Sequence, residues 1–182
     1  MSDPVSALKG ASFQGFASIR EIGPLGMISL RHKGGAALTK AIKAAVGTKV
    51  PAQRRIEIAK DKACGWMSPD EYLLVLPYAE VADAMAKLAK ALAGEHHLAA
   101  DVSDARAVFR VEGEKASQVL AKLAPVDFAK LEPGELRRSR AAQVAAAMWH
   151  QDGGYTLVCF RSVAGYVMGL LTHSAQPGSE LS

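Results

Sequence analysis

Residues 101–128 read DVSDARAVFRVEGEKASQVLAKLAPVDF and carry the clearest fold signal in the chain. Apolar Ala107, Phe109 and Val111 alternate with the charged residues at 106, 110 and 112, which predicts a half-buried β-strand. Gly113 ends this strand, and residues 114–124 then repeat apolar side chains at helical spacing. The stretch therefore predicts a strand followed by a helix, a unit from which mixed α and β domains are built.

The chain before this stretch shows a similar alternation of strands and helices. Residues 17–22 and 27–31 are typical of two strands joined by a Gly-Pro-Leu-Gly turn. A helix follows that can end at Gly47, because glycine readily adopts the left-handed conformation of a C-cap. The unbroken apolar run 72–76 predicts a strand buried on both faces, and residues 79–93 predict a long amphipathic helix.

The chain after this stretch predicts a hairpin and a final helix. Residues 142–150 and 155–160 flank Gln-Asp-Gly-Gly, whose turn chemistry joins antiparallel strands. Ser162 is a suitable N-cap for a helix that reaches about residue 172.

These elements predict an α+β protein, because strands outnumber helices and hairpins are present. Two ferredoxin-like halves of antiparallel sheet, with helices packed on them, would use every element. The two halves show no clear residue-level repeat, so this duplication rests on element order alone. We expect one domain over residues 1–173, with about the first 15 residues as a loose leader, and a frayed tail over 174–182.

Composition and charge favour a globular protein that binds no nucleic acid and no membrane. The net charge is only +4, and aromatic residues do not interleave with the basic clusters. The longest apolar run, residues 163–171, contains glycines and is too short to cross a bilayer. Residues 1–10 lack a signal-peptide pattern, so we expect a cytoplasmic protein, with Cys64 and Cys159 as reduced, partly buried thiols.

No grouping of residues predicts catalysis, a bound cofactor or a metal in this chain. The dinucleotide fingerprint and the phosphate-binding loop are both absent. His96 and His97 are adjacent, and neighbours on a strand point to opposite faces. Asp101 and Ser103 are better explained as a turn whose side chains accept backbone N–H bonds, and Arg106 could pair with an aspartate there.

Three segments, taken in chain order, carry a family resemblance. Residues 101–128 are similar to the opening module of the aminomethyltransferase-like, folate-binding superfamily. Two further segments resemble the gamma subunit family of sarcosine oxidase in the same order along the chain. They are residues 65–76, GWMSPDEYLLVL, and residues 160–166, FRSVAGY, with the apolar helix after them. Together these segments resemble the gamma subunit family of heterotetrameric sarcosine oxidase over residues 66–171.

The resemblance implies a fold similar to the aminomethyltransferase folate-binding domain and a non-catalytic structural role in an enzyme complex. Such a complex oxidatively demethylates sarcosine to glycine, with formaldehyde or 5,10-methylenetetrahydrofolate and hydrogen peroxide as co-products. Its alpha, beta and delta subunits would be the partners of this chain. The resemblance places FAD, FMN, NAD, tetrahydrofolate and zinc in those partners and none of them in this chain.

A subunit of this kind is expected to expose an apolar surface that a partner covers. The candidates are the corner formed by Trp149 and His150, and Tyr166 and Leu170 on the final helix, although all four could instead fill the chain's own core. Two other functions stay open: a stand-alone, folate-binding aminomethyltransferase-like protein, and a tRNA-modification helper. The helper would need a contiguous basic face that includes Arg54, Arg55, Arg137, Arg138 and Arg140.

Overall fold

The computed structural model describes residues 4–181. Its strands are β1 (Ser12–Gln14), β2 (Ser18–Ile22), β3 (Leu25–Arg31), β4 (Ile56–Ala59), β5 (Lys62–Ser68), β6 (Glu71–Pro77), β7 (Leu98–Asp101), β8 (Arg106–Glu112), β9 (Leu136–Ala141), β10 (Val144–Gln151) and β11 (Gly154–Phe160). Its α-helices are α1 (Ala36–Val46), α2 (Val81–Ala91), α3 (Ala116–Ala121) and α4 (Ala164–Ser174). The chain divides into a central unit, Leu25–Asp104, and a terminal unit formed by the residues up to Pro24 and from Ala105 onward.

The central unit is a five-stranded antiparallel sheet in the order β4-β5-β6-β3-β7. Helices α1 and α2 pack with the sheet around a core that includes Leu30, Ile42, Leu74 and Leu88. As predicted, α1 ends at Gly47, which has a positive φ of 76° and donates its N–H to the Lys43 carbonyl. Two helices thus cover the apolar side chains of one sheet.

The terminal unit is a six-stranded antiparallel sheet in the order β1-β2-β8-β11-β10-β9. Alternate residues of its central strands, such as Phe109, Met148 and Leu157, form one core with α3 and α4. The turn predicted between residues 150 and 155 is present, and Asp152 and Gly153 both adopt the positive φ that such tight hairpins require.

The two sheets have the same strand order. The central unit, read as β7-β3-β6-β5-β4, corresponds strand by strand to β2-β8-β11-β10-β9 in the terminal unit. The difference is that the strand in the place of β7 comes from the N-terminal β2, so the terminal unit is a circular permutation of the central one. The predicted α+β class with two antiparallel halves is therefore confirmed, and the duplication is visible in sheet order as well as in element order.

Two strands, β8 and β9, differ from the sequence prediction because both contain arginines, which are not typical of buried or paired strands. The prediction for β8 was a strand with one solvated face, yet all five interior residues are buried, including Arg110. The sequence reasoning did not find β9, whose letters LRRSRA contain three arginines. As the last strand in its sheet order, β9 pairs only with β10, and charged side chains are common on such edge strands.

Both ends of the described chain make hydrogen bonds to the rest of the terminal unit. Residues 1–3 of that leader and residue 182 of that tail lie outside the described residues. β1 pairs with β2, and the Glu21 carboxylate accepts hydrogen bonds from residues 6, 8 and 10. At the other end, the Lys122 ammonium donates to the Ser174 carbonyl at 2.7 Å and to the Ser179 hydroxyl at 3.0 Å. Neither contact is evident in the sequence, because each joins residues far apart in the chain.

Candidate functional site

The corner formed by Trp149 and His150 is held by the chain's own residues. Trp149 is only 4% exposed, and its indole N–H donates to the Gln151 side-chain oxygen at 3.0 Å. The His150 ring stacks on Tyr155 with 4.9 Å between ring centroids, and its Nδ1 lies 3.0 Å from the Leu131 carbonyl oxygen. Because a carbonyl only accepts, Nδ1 must carry the proton. Of the two alternatives for Trp149, an exposed interface or a place inside the chain, its 4% exposure favours the second.

Helix α4 carries the other two predicted interface residues, and here the side chains reach the surface. Tyr166 is 50% exposed, and Leu170, one turn later, is half-buried. Val167 and Leu171 lie on the opposite side of the helix, fully buried in the core of the terminal unit. The helix thus has a clear inner face and a clear outer face, although its sequence is apolar on both.

Two glycines lie beside Tyr166 and Leu170, and the sequence reasoning did not single them out. Gly165 and Gly169 are exposed, and a Cβ atom added at either would meet no atom of the chain within 4 Å. We call Gly165, Tyr166, Gly169 and Leu170 together the outward face of α4. Residues 162–174 include no Asp, Glu, Lys or Arg, and the basic residue of α4 is the exposed His173, four residues after Gly169 on the same side of the helix.

A buried arginine lies on the face of the terminal sheet away from α3 and α4. Arg110 is 8% exposed, and its guanidinium donates to the Thr156 hydroxyl at 2.9 Å, to the Gln151 carbonyl at 3.1 Å and to the Glu112 carboxylate at 3.1 Å. A buried charge is tolerated only when it is paired and hydrogen-bonded, and this one is both. Arg110 therefore ties β8 to β11.

The Asp101 and Ser103 cluster is a turn, as expected. The Ser103 amide donates to the Asp101 carboxylate at 3.0 Å, and the Ser103 hydroxyl accepts from the Met27 amide at 3.0 Å. Arg106 places its guanidinium 4.2 Å from the centroid of the Phe160 ring. Asp101 and Ser103 thus close a turn, and Arg106 stacks on an aromatic ring. Both are structural roles.

Both cysteines are buried free thiols. Burial raises the pKa of Cys159 to about 11, and it raises the pKa of Cys64 further above its usual range. Because the thiolate is the reactive form, such thiols react slowly at neutral pH.

A depression of about 450 Å³ in the central unit is lined by five apolar or glycine residues and by six charged ones. Four of them are lysines, but Lys62 is paired with Glu80, and Lys43 donates to the Gly47 carbonyl at 3.0 Å. Lys87, also in the lining, pairs with Asp83. Two of the four ammonium groups thus face carboxylates, and that of Lys43 meets a neutral carbonyl oxygen.

Within residues 4–181, His, Cys, Asp and Glu side chains nowhere gather in threes at a geometry that could hold a metal ion. None of the helices in that range combines the length and apolar character of a membrane span.

Comparisons with known proteins agree on one family. The model of the sarcosine oxidase, gamma subunit family matches residues 32–176. The gamma subunit of sarcosine oxidase from Arthrobacter sp is 33% identical over 124 residues, and that from Corynebacterium sp. (strain P-1) is 32% identical over the same length. Each alignment covers 67% of this chain, and the chain spans 60% of the length of each relative.

Two solved structures share the fold. A chain of the heterotetrameric sarcosine oxidase from Corynebacterium sp. U-96, in complex with pyrrole 2-carboxylate, superimposes with a TM-score of 0.79 at 24% identity, covering 87% of this chain and 83% of that one. Aminomethyltransferase T of the glycine cleavage system from Bartonella henselae gives a TM-score of 0.63 at 13% identity, covering 86% of this chain and 45% of that one. At these identities the likeness concerns the fold, and it matches the fold expected from residues 101–128.

Proposed function

Because the chain belongs to the sarcosine oxidase gamma subunit family, we propose that it is a non-catalytic structural subunit of a heterotetrameric sarcosine oxidase. The observation that carries this proposal is the family match over residues 32–176, which takes in most of both units. The fold shared with a chain of a heterotetrameric enzyme supports it. The role of such a subunit is to present a rigid surface to its partners, and a duplicated α+β body with two cores is suited to that.

The proposed assembly oxidatively demethylates sarcosine to glycine in the cytoplasm. Formaldehyde or 5,10-methylenetetrahydrofolate and hydrogen peroxide are the co-products. We propose alpha, beta and delta subunits as the partners, and we assign FAD, FMN, NAD, tetrahydrofolate and zinc to them. In this chain, Asp101 and the buried Arg110 already have structural partners, which is consistent with a supporting role.

Reconstitution tests this proposal directly. The chain is co-expressed with the alpha, beta and delta subunits, and a parallel culture expresses those three without it. We expect a complex that contains this chain and oxidises sarcosine, and a lower yield of assembled flavoprotein when the chain is omitted. The isolated chain serves as the control and should produce no hydrogen peroxide from sarcosine. Failure of the chain to enter the complex, or sarcosine oxidation by the chain alone, would contradict the proposal.

The fold likeness to aminomethyltransferase T favours a second candidate, a stand-alone folate-binding protein. Titration of the isolated chain with tetrahydrofolate separates the two functions. Binding in the micromolar range would favour the transferase-like function, whereas a structural subunit requires no such affinity.

A further inference from the structure

Strand β7 leaves one edge of the central sheet unpaired. It pairs with β3 on one side, and no strand of the described residues pairs with its other side. The Val102 amide donates to the Met27 carbonyl at 2.8 Å, and bonded residues alternate from there along the antiparallel ladder. Ala100 therefore bonds to β3, whereas Ala99 and Asp101 direct their N–H and C=O groups away from it. Within residues 4–181, these outward backbone groups have no hydrogen-bond partner.

The terminal unit holds a strand at the corresponding edge. There β2 takes the place of β7, and β1 pairs with the outer side of β2. The Glu21 amide donates outward to the Ala11 carbonyl at 2.8 Å, and Ile19, two residues earlier, also directs its backbone groups towards β1. Glu21 and Ile19 are at most 2% exposed, whereas Leu98 in β7 is 55% exposed. The same fold therefore accepts an antiparallel strand at this edge, which the central unit leaves open.

The residues of β7 do little to guard this edge. Edge strands are commonly protected by lysines or other charged side chains, by proline or by a bulge. β9, at an edge of the other sheet, carries three arginines. β7 reads LAAD, pairs with β3 in continuous register and begins with the exposed Leu98. Its unpaired backbone is thus flanked by an exposed apolar side chain at one end and by a carboxylate at the other.

We propose that the free edge of β7 is a strand-addition site for an extended segment of a partner subunit, which pairs antiparallel with Ala99 and Asp101. This inference rests on the proposed function. The outward backbone groups recur every second residue, about 7 Å apart along the strand. An extended segment presents complementary N–H and C=O groups at the same spacing, whereas a helix uses most of its backbone groups within itself. The backbone chemistry of the edge therefore selects a strand.

Charge argues for a different chain rather than a second copy of this one. The Asp101 Oδ1 accepts from the Ser103 amide at 3.0 Å, while its Oδ2 accepts no hydrogen bond from the described residues. Two copies that paired through Ala99 and Asp101 would place both Asp101 carboxylates as diagonal neighbours on one face, where like charges repel. At the corresponding position in the terminal unit, the Glu21 carboxylate accepts three hydrogen bonds from the segment before β1. The partner segment accordingly carries a lysine or arginine beside Asp101 and an apolar residue beside Leu98.

Hydrogen exchange of the wild-type chain tests the edge without any substitution. The chain is measured alone and within the complex reconstituted with the alpha, beta and delta subunits, and fragmentation in the mass spectrometer resolves single amides. In the isolated chain, the amides of Ala99 and Asp101 should exchange faster than that of Ala100, which bonds to β3. In the complex, we expect exchange at Ala99 and Asp101 to slow by about tenfold or more, because both amides become paired.

Ala99→Pro is a substitution directed at the edge alone. Proline lacks an N–H but is tolerated on an edge strand where the N–H faces solvent, so the bonds between β7 and β3 remain. The wild-type chain and the tagged variant compete for incorporation into the complex, and we expect about tenfold less of the variant. Ile58→Pro is the matched control on β4, the opposite edge strand. Its N–H also points outward, because the Trp66 amide donates to the Arg55 carbonyl and the pairs alternate from there.

The outcomes separate the two proposals. Unchanged exchange at Ala99 and Asp101 in a complex that contains the chain would overturn the strand-addition site and leave the structural-subunit function standing. Equal incorporation of the wild type and a folded Ala99→Pro variant would do the same. If this variant has a lower Tm than Ile58→Pro, the exchange result alone decides. A chain that stays outside the complex would overturn the function and this inference together. Exchange at these amides that slows as the isolated chain is concentrated would identify a second copy as the occupant, which would also overturn the inference.

Discussion

The Glu21 carboxylate is expected to hold the N-terminal segment onto the terminal unit, and Glu21→Gln tests this. Glu21 is 2% exposed, and two hydrogen bonds converge on its Oε2, from the Ser6 hydroxyl and the Gly10 amide, both at 2.8 Å. Its Oε1 accepts from the Leu8 amide at 3.1 Å. One buried side chain therefore satisfies three donors of the segment that precedes β1.

The size of the effect follows from this geometry. Glutamine keeps the shape of the side chain but replaces one acceptor oxygen with an NH₂ donor. At least one of the three donors then faces another donor, and a buried donor left without a partner costs about 1–3 kcal/mol. The remaining bonds change from charged to neutral and become about half as strong. We expect Glu21→Gln to lower the free energy of unfolding by about 2–4 kcal/mol.

Urea denaturation followed by circular dichroism measures this loss. With a slope of about 2 kcal/mol per molar urea, the midpoint should fall by about 1–2 M. Hydrogen exchange should show faster exchange at the amides of Leu8 and Gly10. Glu114→Gln is the matched control, because Glu114 is exposed and should change stability by less than about 0.5 kcal/mol. A Glu21→Gln midpoint equal to that of this control would refute the reasoning.

Two further predictions concern the C-terminal segment and the thiols. Lys122→Met removes the ammonium that lies 2.7 Å from the Ser174 carbonyl, so limited proteolysis should cut the chain after residue 175 faster. The control is Lys130→Met, because Lys130 is exposed, and equal cleavage rates in the two variants would contradict the prediction. At pH 8, Cys64 and Cys159 should resist a thiol reagent until urea unfolds the chain, and labelling of the native chain would contradict their burial. Because burial raises the pKa of Cys159 to about 11, the stability that its neutral thiol contributes is present below about pH 8.5 and falls as the pH rises towards 11.

Helices and turns were the features that local sequence predicted best. The end of α1 at Gly47 and the tight turn at Asp152 and Gly153 follow from backbone preferences of single residues, which need no knowledge of the rest of the fold. The inner stripe of α4, with Val167 and Leu171, follows from its period. Such signals extend over a few residues, so they survive without tertiary information.

Strands with polar residues were predicted less well. The sequence of β8 taken alone places Arg110 on a solvent face, but Thr156 and the Gln151 carbonyl, more than 40 residues away, make its burial possible. Likewise, β9 is a strand because β10 pairs with it, despite its three arginines. The pairing partner, rather than the local composition, decided both cases.

By itself, the amino-acid sequence determined the α+β class, the order of most elements and the resemblance to one subunit family, because these depend on local periodicity, turn residues and short motifs. Only the tertiary structure decided that β2 completes the terminal sheet beside β8, that Trp149 is buried, and that Tyr166 on α4 is exposed. The physical reason is that burial and strand pairing join residues far apart along the chain, and the same apolar letters describe a buried face and an exposed one.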